Sequence, residues 1–362
     1  MNNDFEIEIL PHASPTSAAQ RDEWMRAPKF GAVFTDHMIT VRWNEDRGWH
    51  EAQLRARQPF LIDPACGVLH YAQEIFEGLK AYRTVEGQLV LFRPEENARR
   101  FARSAKRLSM PVLPEGLFLE AVRALVRADR AWVPSGEGSL YLRPFMFASE
   151  VFLGVRASRE YIFCVIACPV GPYFKGGPKA LSLWVSDAFT RAAPGGTGAA
   201  KCGGNYAAGL LAQTEAARAG CDQVLFLDAA EHRWIEELGG MNVFFVMDDG
   251  AIATPPLGGT ILEGVTRSSL ITLARERGHR VDQRQYSWND LRADAASGRL
   301  AEAFACGTAA AVAGIGSIRS ADGDTVIGDG NVGAITTALR DELMAMQRGS
   351  RPDHHGWLVV ID

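Results

Sequence analysis

The stretch PGGTGAAKCGGNYAAGLL, residues 194–211, places a single lysine, Lys201, between two glycine-rich segments. Lysine is scarce in this chain and none follows Lys201, whereas arginine occurs throughout. A helical pattern begins at about residue 206 and closes at Gly220. A flexible amine in a glycine turn, with no carboxylate beside it in the sequence, is poorly explained as a surface charge. The stretch therefore suggests a lysine that is kept for its chemistry.

Three interpretations of this stretch compete, and the first is a phosphate-binding loop of either the P-loop or the dinucleotide kind. A phosphate loop needs Gly directly before the lysine and Ser or Thr directly after it, but Ala200 and Cys202 stand there. A dinucleotide fingerprint fails because the third glycine is missing after Gly196 and Gly198. Two interpretations then remain: a glycine-rich turn with an incidental lysine, or a lysine that forms a Schiff base with an aldehyde cofactor. The stretch alone does not choose between them.

Length and composition restrict the class of protein. The chain has 362 residues, enough for a large core and two domains. Its net charge of −5, with acidic and basic residues well mixed, argues against nucleic acid or an anionic membrane as the main partner. No apolar run reaches the ~18 residues of a transmembrane helix, and the acidic N-terminus lacks the pattern of a signal peptide.

Cysteines and histidines restrict the compartment and the metal content. The six cysteines show no CxxC pair and no regular spacing, which predicts reduced, mostly buried thiols in a cytoplasmic protein. The eight histidines include no HxxxH pattern, and we therefore expect no metal site.

Hydrophobic patterning predicts a mixture of helices and strands, α+β or α/β in class. A helix is expected between Pro94 and Pro111, and Asp248 to Gly250 predict a hairpin turn. Further helices are predicted over 116–132, 206–218, 266–278, 286–298 and 336–348, and strands over 89–93, 139–149, 160–174, 222–228, 241–247 and 302–306. The short, charged KGGPKA segment (175–180) predicts a linker at 175–181 between a small N-terminal domain, 1–174, and a larger C-terminal domain, 182–362, that carries the lysine.

Motifs along almost the whole chain decide between the interpretations of Lys201. The N-terminal half contains FGAVFTDHM (30–38), LHYAQEIFEGLKAYR (69–83), LFRPEENARRFARSAKRL (91–108), YLRP (141–144) and PVGPYF (169–174). The C-terminal half contains KCGGNYAAGL (201–210), EELGGMNVFF (236–245), ATPPLGGTILEGVTR (253–267) and CGTAAAV (306–312). In this order they resemble the branched-chain amino acid aminotransferases, pyridoxal-phosphate enzymes of fold type IV, and most closely the group that contains the vertebrate enzymes.

The resemblance implies a fold and an activity. The fold has a smaller N-terminal α/β domain and a larger C-terminal domain, β-barrel-like with flanking helices. The activity is a reversible, ping-pong transamination between L-leucine, L-isoleucine or L-valine and 2-oxoglutarate, which gives branched-chain 2-oxo acids and L-glutamate with pyridoxal 5′-phosphate as cofactor. Val155, in FLGVR (152–156), resembles part of a loop that reaches the pocket of the other subunit, which implies a homodimer.

The resemblance also implies how the cofactor is held and used. Lys201 would form the Schiff base and, once displaced by the substrate amine, carry the proton between the substrate α-carbon and the cofactor. Glu237 would keep the pyridine nitrogen protonated, with the adjacent Glu236 as its rival. Arg100 would bind the phosphate through its planar donors, with Arg99 as the near miss.

Further cofactor contacts are implied on the C-terminal side of Lys201. Tyr206 would hydrogen-bond the ring hydroxyl. Hydroxyl and backbone N–H groups at helix starts and in loops suit a phosphate. Those implied here belong to Leu262, Val265, Thr266, Gly307 and Thr308.

The substrate side chain would occupy an apolar pocket. Aromatic walls bury methyl groups, and one methylene is worth only ~1–3 kcal/mol of discrimination, so leucine, isoleucine and valine should all be accepted. Lys80 is a further candidate polar group near this pocket. The implied substrate-binding residues are Phe30, Tyr71, Phe76, Tyr141, Arg143, Val155, Tyr173, Met241 and Ala309.

The chain departs from the family pattern at two places. Ala310 and Ala313 stand where the vertebrate enzymes carry a CxxC redox switch, so we expect no thiol regulation of that kind. Gly240 stands where threonine is usual, so a threonine contact to the substrate carboxylate or to the pocket is not expected here, and side-chain selectivity is expected to be looser.

Two other functions are compatible with the cofactor lysine. A D-amino acid aminotransferase or an aminodeoxychorismate lyase would be expected to place charged groups where Phe30, Tyr71 and Tyr141 stand, and the apolar lining argues against both. A non-catalytic pyridoxal-phosphate-binding protein would not need a carboxylate at Glu237 for the pyridine nitrogen.

Overall fold

A computed structural model describes residues 6–172 and 179–362 of the chain. Within these residues the chain forms two compact units. The first unit contains residues 6–172, Ala200–Gly203 and Met346–Asp362, and the second contains residues 179–199 and Gly204–Ala345. These units are defined by contacts between residues and not by position along the chain. They therefore do not test the predicted domain boundaries, which stay a prediction. The predicted linker lies mostly outside the described residues.

The first unit is built on a mainly antiparallel sheet. Its strands are β1 (Glu8–Ile9), β2 (His37–Asn44), β3 (Gly48–Ala56), β4 (Glu74–Phe76), β5 (Leu79–Arg83), β6 (Leu89–Phe92), β7 (Ser139–Ala148), β8 (Glu160–Val170) and, from the end of the chain, β18 (Leu358–Ile361). The order across the sheet is β1-β3-β2-β8-β7-β5-β6-β18, and β4 pairs with β7. Strand β7 thus lies beside β4, β5 and β8 in the middle of the unit.

The first unit also contains helices, and the two longest of them bury an apolar face. The helices are α1 (Ala18–Met25), α2 (Val68–Tyr71), α3 (Pro94–Arg107) and α4 (Glu115–Ala128), followed by a short 3-10 helix (Arg130–Trp132). Helix α3 has proline in its first turn, acidic side chains near its start and basic ones near its end, which complement the helix dipole. Its buried Phe101 contacts Phe118 of α4 and Phe163 of β8. The core of the unit lies between these helices and the sheet.

The second unit contains a mixed sheet. Its strands are β9 (Leu181–Ser186), β10 (Gln223–Leu227), β11 (Ile235–Leu238), β12 (Asn242–Met247), β13 (Ile252–Thr254), β14 (Val281–Gln283), β15 (Leu300–Gly307), β16 (Ala311–Ser320) and β17 (Gly323–Val326). Their order is β11-β10-β9-β16-β15-β12-β13-β14, and β17 pairs with β16. Strands β12 and β13 are joined by the predicted hairpin turn at Gly250.

The remaining helices follow the lysine segment in the chain. They are α5 (Gly203–Ala208), α6 (Leu210–Arg218), α7 (Val265–Glu276), α8 (Trp288–Ser297) and α9 (Ala334–Gln347). Helix α7 is followed by Gly278, whose φ of +86° favours a residue without a Cβ atom and explains why the helix stops there. None of the helices among the described residues has the length and apolar character needed to cross a membrane. The mixed class predicted from the sequence is confirmed.

Candidate active site

Lys201 lies in a short segment whose backbone is bound into the first unit. Its amide donates to Ser104 Oγ at 2.9 Å, and its carbonyl accepts a hydrogen bond from the Phe76 amide at 3.0 Å. The flanking Ala200 and Cys202 are buried in the hydrophobic core of this unit. The lysine Nζ lies 4.8 Å from the centre of the Phe76 ring. Backbone contacts on both sides therefore fix the position from which the amine extends.

Arg100, the predicted phosphate ligand, forms a buried ion pair with Glu77. Arg100 Nε lies 2.7 Å from Glu77 Oε1, and Nη2 lies 2.9 Å from Oε2, so the pair is bidentate. Asn97, one turn earlier on α3, donates to the same Oε2 at 2.8 Å. The Glu77 side chain has no solvent exposure, and that of Arg100 is 5 % exposed. The two contacts with the Glu77 carboxylate thus orient the guanidinium.

Glu77 also lies within electrostatic range of Lys201. Burial by itself raises the pKa of Glu77, but the charge and hydrogen bonds of Arg100, the charge of Lys201 and the Asn97 amide together outweigh it. The pKa of this carboxyl is therefore lowered from its ordinary value. Glu77 is a buried carboxylate shared by the predicted phosphate arginine and the predicted cofactor lysine.

Four predicted substrate residues form one continuous cluster beside Lys201. Phe30 contacts Tyr141 edge-to-face at 4.9 Å between ring centres, and Tyr141 OH accepts a hydrogen bond from Arg143 Nη2 at 3.1 Å. The Arg143 guanidinium lies 4.7 Å from the Phe76 ring centre, next to Lys201. Arg143 Nε is buried and makes no hydrogen bond within the described residues.

Gly78 explains how Tyr141 reaches this position. A Cβ atom at Gly78 would lie 2.1 Å from Tyr141 OH, so any larger residue would push the ring away. Lys80, two residues further on β5, is paired with Tyr141 across the sheet. Burial, aided by the Arg348 charge, lowers the pKa of Lys80 to about 8.

In the second unit, Glu237 on β11 is surrounded by hydrogen-bond donors. Its Oε1 accepts from the Leu262 amide at 2.8 Å, and its Oε2 from Asn242 Nδ2 at 3.3 Å. Arg191 Nη2 lies 3.0 Å from Oε1, and both side chains are almost completely buried. The amide of Leu262, predicted as a cofactor contact, thus binds the Glu237 carboxylate here.

Helix α7 presents a site for an anion at its start. Val265 and Thr266 form its first turn, and the preceding Gly264 provides no side-chain cap for their N–H groups. A Cβ atom at Gly264 would lie 2.1 Å from Asn242 Oδ1, so glycine lets the Asn242 side chain approach. The predicted Thr308 lies in the turn that joins β15 to β16.

Tyr206 lies on α5, near the loop that contains Gly240. A Cβ atom at Gly240 would be 3.6 Å from the Tyr206 ring, an ordinary contact. Met241, the next residue, lies 3.3 Å from where a Cβ atom at Gly307 would stand. The structure thus groups Tyr206 with the Gly240 loop, and Met241 with the end of β15.

The remaining predicted substrate residues lie outside these groups. Tyr71 is 44 % exposed and donates a short hydrogen bond to the Leu153 carbonyl, and Val155 is 85 % exposed. Ala309 is exposed. Tyr173 lies outside the described residues.

The two alanines at the position of the family's redox motif are buried, and so are the six cysteines. Ala310 is 7 % exposed and Ala313 is 1 % exposed. All six cysteines are buried and unbonded to one another. Among the described residues no group of three or more His, Cys, Asp or Glu side chains could hold a metal ion.

Sequence reasoning missed four residues that bind the predicted ones: Glu77, Asn97, Arg191 and Asn242. A buried arginine needs a carboxylate, and a buried carboxylate needs donors. This requirement could have directed a search from Arg100 to the glutamate of FEGLK, and from Glu237 to the arginine just before the glycine-rich stretch. It does not say which of several carboxylates or arginines is the partner.

The donor set fits the cofactor that the resemblance implies. A phosphorylated aldehyde with a pyridine ring needs an amine, an anion site and a carboxylate for the ring nitrogen. The residues supply Lys201, the buried Arg100, the uncapped start of α7 and the fully hydrogen-bonded Glu237. These groups match the chemistry of pyridoxal phosphate.

Comparison with known protein families places the chain among aminotransferases. The model of the class IV amino-transferases matches residues 74–318, more than half of the chain. A probable branched-chain-amino-acid aminotransferase of Streptomyces coelicolor is 53 % identical over 357 residues, which are 98 % of each chain. The branched-chain-amino-acid aminotransferase of Mycolicibacterium smegmatis is 50 % identical over 363 residues, 99 % of each chain.

Solved structures show the same relationship. The branched-chain amino acid aminotransferase of Escherichia coli superimposes with a TM-score of 0.76 at 29 % identity, covering 90 % of this chain and 99 % of that one. The enzyme of Thermobaculum terrenum in its pyridoxal-phosphate form superimposes with a TM-score of 0.73 at 26 % identity, covering 90 % and 98 %.

Proposed function

The chain belongs to the class IV aminotransferases, and on that premise we propose that it exchanges amino groups between branched-chain amino acids and 2-oxoglutarate. The fold is that of the type IV enzymes, and the cofactor of this class is pyridoxal phosphate. The observation that carries the proposal is the identity of about half of all residues, over almost the whole chain, with branched-chain-amino-acid aminotransferases.

For the cofactor we assign Lys201 to the aldehyde, Glu237 to the pyridine nitrogen, Arg100 to the phosphate and Tyr206 to the ring hydroxyl. The buried pairing of Arg100 supports its assignment, because an oriented guanidinium binds a phosphate with little loss of side-chain entropy. The start of α7 supports the other phosphate contacts, which we assign to Leu262, Val265, Thr266 and Thr308.

The bound cofactor supplies an electron sink for the substrate α-carbon. Lys201 takes the α-proton on its Nζ and returns it, because a free amine can act as base and then as acid. Glu237 holds a proton on the ring nitrogen by offering it a charged oxygen. The Phe76 ring, whose centre lies 4.8 Å from the lysine Nζ, provides apolar surface beside the amine.

The substrate assignment rests on the cluster of Phe30, Phe76, Tyr141 and Arg143. The three rings provide apolar surface for a branched aliphatic side chain, and Met241, Tyr173 and Ala309 are proposed to extend it. Arg143, whose buried Nε makes no hydrogen bond within the described residues, is proposed as the donor for a carboxylate of 2-oxoglutarate.

A homodimer is part of the proposal. The first unit exposes large apolar side chains on neighbouring stretches of its chain, as expected of a surface that another subunit covers. Tyr71 and Val155 belong to this set and are proposed to complete the substrate pocket of the partner. The other members are Leu61, Ile62, Leu69, Val151, Phe152 and Leu153. The molar mass of the purified protein in solution tests this point, and a cytoplasmic location stays a prediction.

The purified protein should change its absorbance on mixing with L-leucine, and 2-oxoglutarate should reverse the change. Lys201→Ala should lower the rate of this exchange by about 10⁴-fold or more, because it removes the acid–base group. Lys106→Ala, which removes an exposed lysine of α3, is the matched control and should leave the rate unchanged. A response to D-alanine with none to L-leucine, or normal turnover by Lys201→Ala, would contradict the proposal.

A further inference from the structure

Two glutamates stand side by side on β11, and one arginine faces both. Glu236 and Glu237 are 8 % and 2 % exposed. Arg191 binds Glu237 at 3.0 Å and also acts electrostatically on Glu236. Buried charges are expensive unless paired, so two adjacent buried carboxyls are stable only if each finds its own hydrogen-bond donors or positive charge.

The two carboxyl groups differ in the hydrogen bonds that they accept. Glu237 accepts from Leu262 N, from Asn242 Nδ2 and from Arg191, and so both of its oxygens are used. Glu236 accepts from Thr260 Oγ1 through Oε1, while its buried Oε2 has no hydrogen-bond partner among the described residues. Burial raises the pKa of Glu236, and the Thr260 hydrogen bond and the Arg191 charge offset only part of this effect. Glu236 is therefore the member that takes up a proton more readily than an ordinary glutamate.

Arg191 is fixed by contacts other than Glu237. Its Nη1 donates to the Thr260 carbonyl at 2.8 Å, and its Nη2 lies 3.3 Å from the Gly198 carbonyl. Gly198 is packed so closely that a Cβ atom there would lie 2.3 Å from Thr260 O. The guanidinium is thus oriented by two backbone carbonyls while its Nη2 faces Glu237.

We propose that Arg191 is a positioning residue that fixes the Glu237 carboxylate and keeps it charged for the ring nitrogen of the cofactor. This inference rests on the proposed function, because the role of Glu237 requires pyridoxal phosphate. Arg191 touches neither cofactor nor substrate in this account and acts only through Glu237. Lysine cannot replace it fully, because one ammonium group does not reproduce the planar set of donors that binds the two carbonyls and the carboxylate together.

The test measures the protonation of the cofactor's ring nitrogen. Protein loaded with pyridoxal phosphate that is ¹⁵N-labelled in the ring reports protonation of this nitrogen through its ¹⁵N chemical shift. Glu237→Gln should move the shift to the unprotonated value. Arg191→Gln should move it in the same direction, and the double variant should show no further change, because both substitutions act through one carboxylate. Arg191→Lys should give an intermediate shift and should keep the fold if Arg191→Gln loses it.

Two controls separate positioning from general damage. Arg319 also donates to a backbone carbonyl, that of Ala219, and pairs with a carboxylate, Asp324, in the same unit. Arg319→Gln should therefore lose contacts of the same kind and leave the ¹⁵N shift unchanged. Glu236→Gln should leave it unchanged as well, because the Glu236 side chain accepts its hydrogen bond from Thr260 and makes none of the contacts that hold Glu237.

The outcomes distinguish this inference from the proposed function. Failure of the wild-type protein to bind pyridoxal phosphate or to respond to L-leucine would contradict the proposed function itself. If the wild-type protein responds to L-leucine but Arg191→Lys and Arg191→Gln keep the wild-type ¹⁵N shift, the positioning role of Arg191 is wrong. A change in ¹⁵N shift produced by Glu236→Gln as large as that produced by Glu237→Gln would overturn the assignment of the ring nitrogen to Glu237.

Discussion

Residues 6–172 and 179–362 include a buried arginine–glutamate pair in each unit, and the two pairs are built differently. In the first unit, Arg100 directs two nitrogens at one carboxylate, at 2.7 and 2.9 Å, and Glu77 has no solvent exposure. In the second unit, Arg191 divides its donors between Glu237 and two carbonyls, and Glu237 divides its oxygens among three donors. The first pair is a bidentate contact between two side chains, to which Asn97 adds a further donor, whereas the second is part of a wider network that includes backbone groups.

The difference suggests what each pair does. A bidentate pair orients the guanidinium strongly, which suits an arginine that is proposed to meet a phosphate. A network orients the carboxylate, which suits a glutamate that is proposed to meet a ring nitrogen. In both pairs the residue expected to touch the cofactor is held by a partner of opposite charge.

The stability of the protein should depend more on the buried Arg100–Glu77 pair than on an exposed ion pair of the same helix. Glu77→Ala leaves the Arg100 guanidinium buried without its carboxylate, and the free energy of unfolding should fall by about 3–5 kcal/mol. Urea unfolding of the cofactor-free protein measures this change. Glu96→Ala removes the partially exposed partner of Arg99 on the same helix and should cost less than about 1 kcal/mol. Equal losses of unfolding free energy in the two variants would contradict a larger contribution from the buried Arg100–Glu77 pair.

Double-mutant cycles should separate the two pairs further. The coupling energy between Glu77→Ala and Arg100→Leu should be about 2–3 kcal/mol, because the two buried side chains bind each other through two charged hydrogen bonds. The coupling between Glu237→Gln and Arg191→Gln should be about 1 kcal/mol, because Glu237 keeps the Leu262 amide and the Asn242 amide. Both cycles use urea unfolding without cofactor. A larger coupling in the second pair would reverse the comparison.

Acid should affect the two regions with opposite sign. The pKa of Glu77 is lowered, so its contribution to stability is complete above the ordinary value of 4.5 and is lost as the pH falls through its folded value. The pKa of Glu236 is raised, so ionisation of this group weakens the fold as the pH rises from 4.5 through its folded value. Each unit of pKa difference corresponds to about 1.4 kcal/mol.

Two variants test this opposition through urea midpoints measured from neutral pH downward. Glu77→Gln should lose less stability on acidification than the wild-type protein does. Glu236→Gln should gain stability at neutral pH relative to the wild type, and the gain should vanish below 4.5. If the urea midpoints of the two variants depended on pH in the same way, the predicted opposite effects of acid on Glu77 and Glu236 would be wrong.

Much of the fold was readable from hydrophobic pattern. The helices predicted over 266–278 and 336–348 appear as α7 (Val265–Glu276) and α9 (Ala334–Gln347), because caps and stops are local signals. Strand β16 (Ala311–Ser320) was missed, since its glycines weaken the strand pattern. Gly316 is required there because a Cβ atom would lie 2.2 Å from the Gly330 carbonyl oxygen, a contact between residues that the local pattern does not connect.

Less of the candidate site than of the fold could be predicted from the sequence. The residues with distinctive chemistry, Lys201, Glu237 and Arg100, were identified from motifs, and their roles remain proposals. Their partners Glu77 and Arg191 were missed, because a glutamate in FEGLK or an arginine in TRAA has the same composition whether it lies on the surface or in the core. Only burial, which depends on the whole fold, turns such a residue into a necessary counter-charge.

The sequence by itself determined the family, the order of helices and strands and the set of reactive side chains, because motifs, periodicity and caps are local properties of a chain. The tertiary structure alone decided that the Lys201 segment packs with the first unit, through Ser104 and Phe76. It also decided which carboxylate faces each buried arginine. The physical reason is the low polarity of the interior, where a charge is stable only beside a partner that folding brings from elsewhere in the chain.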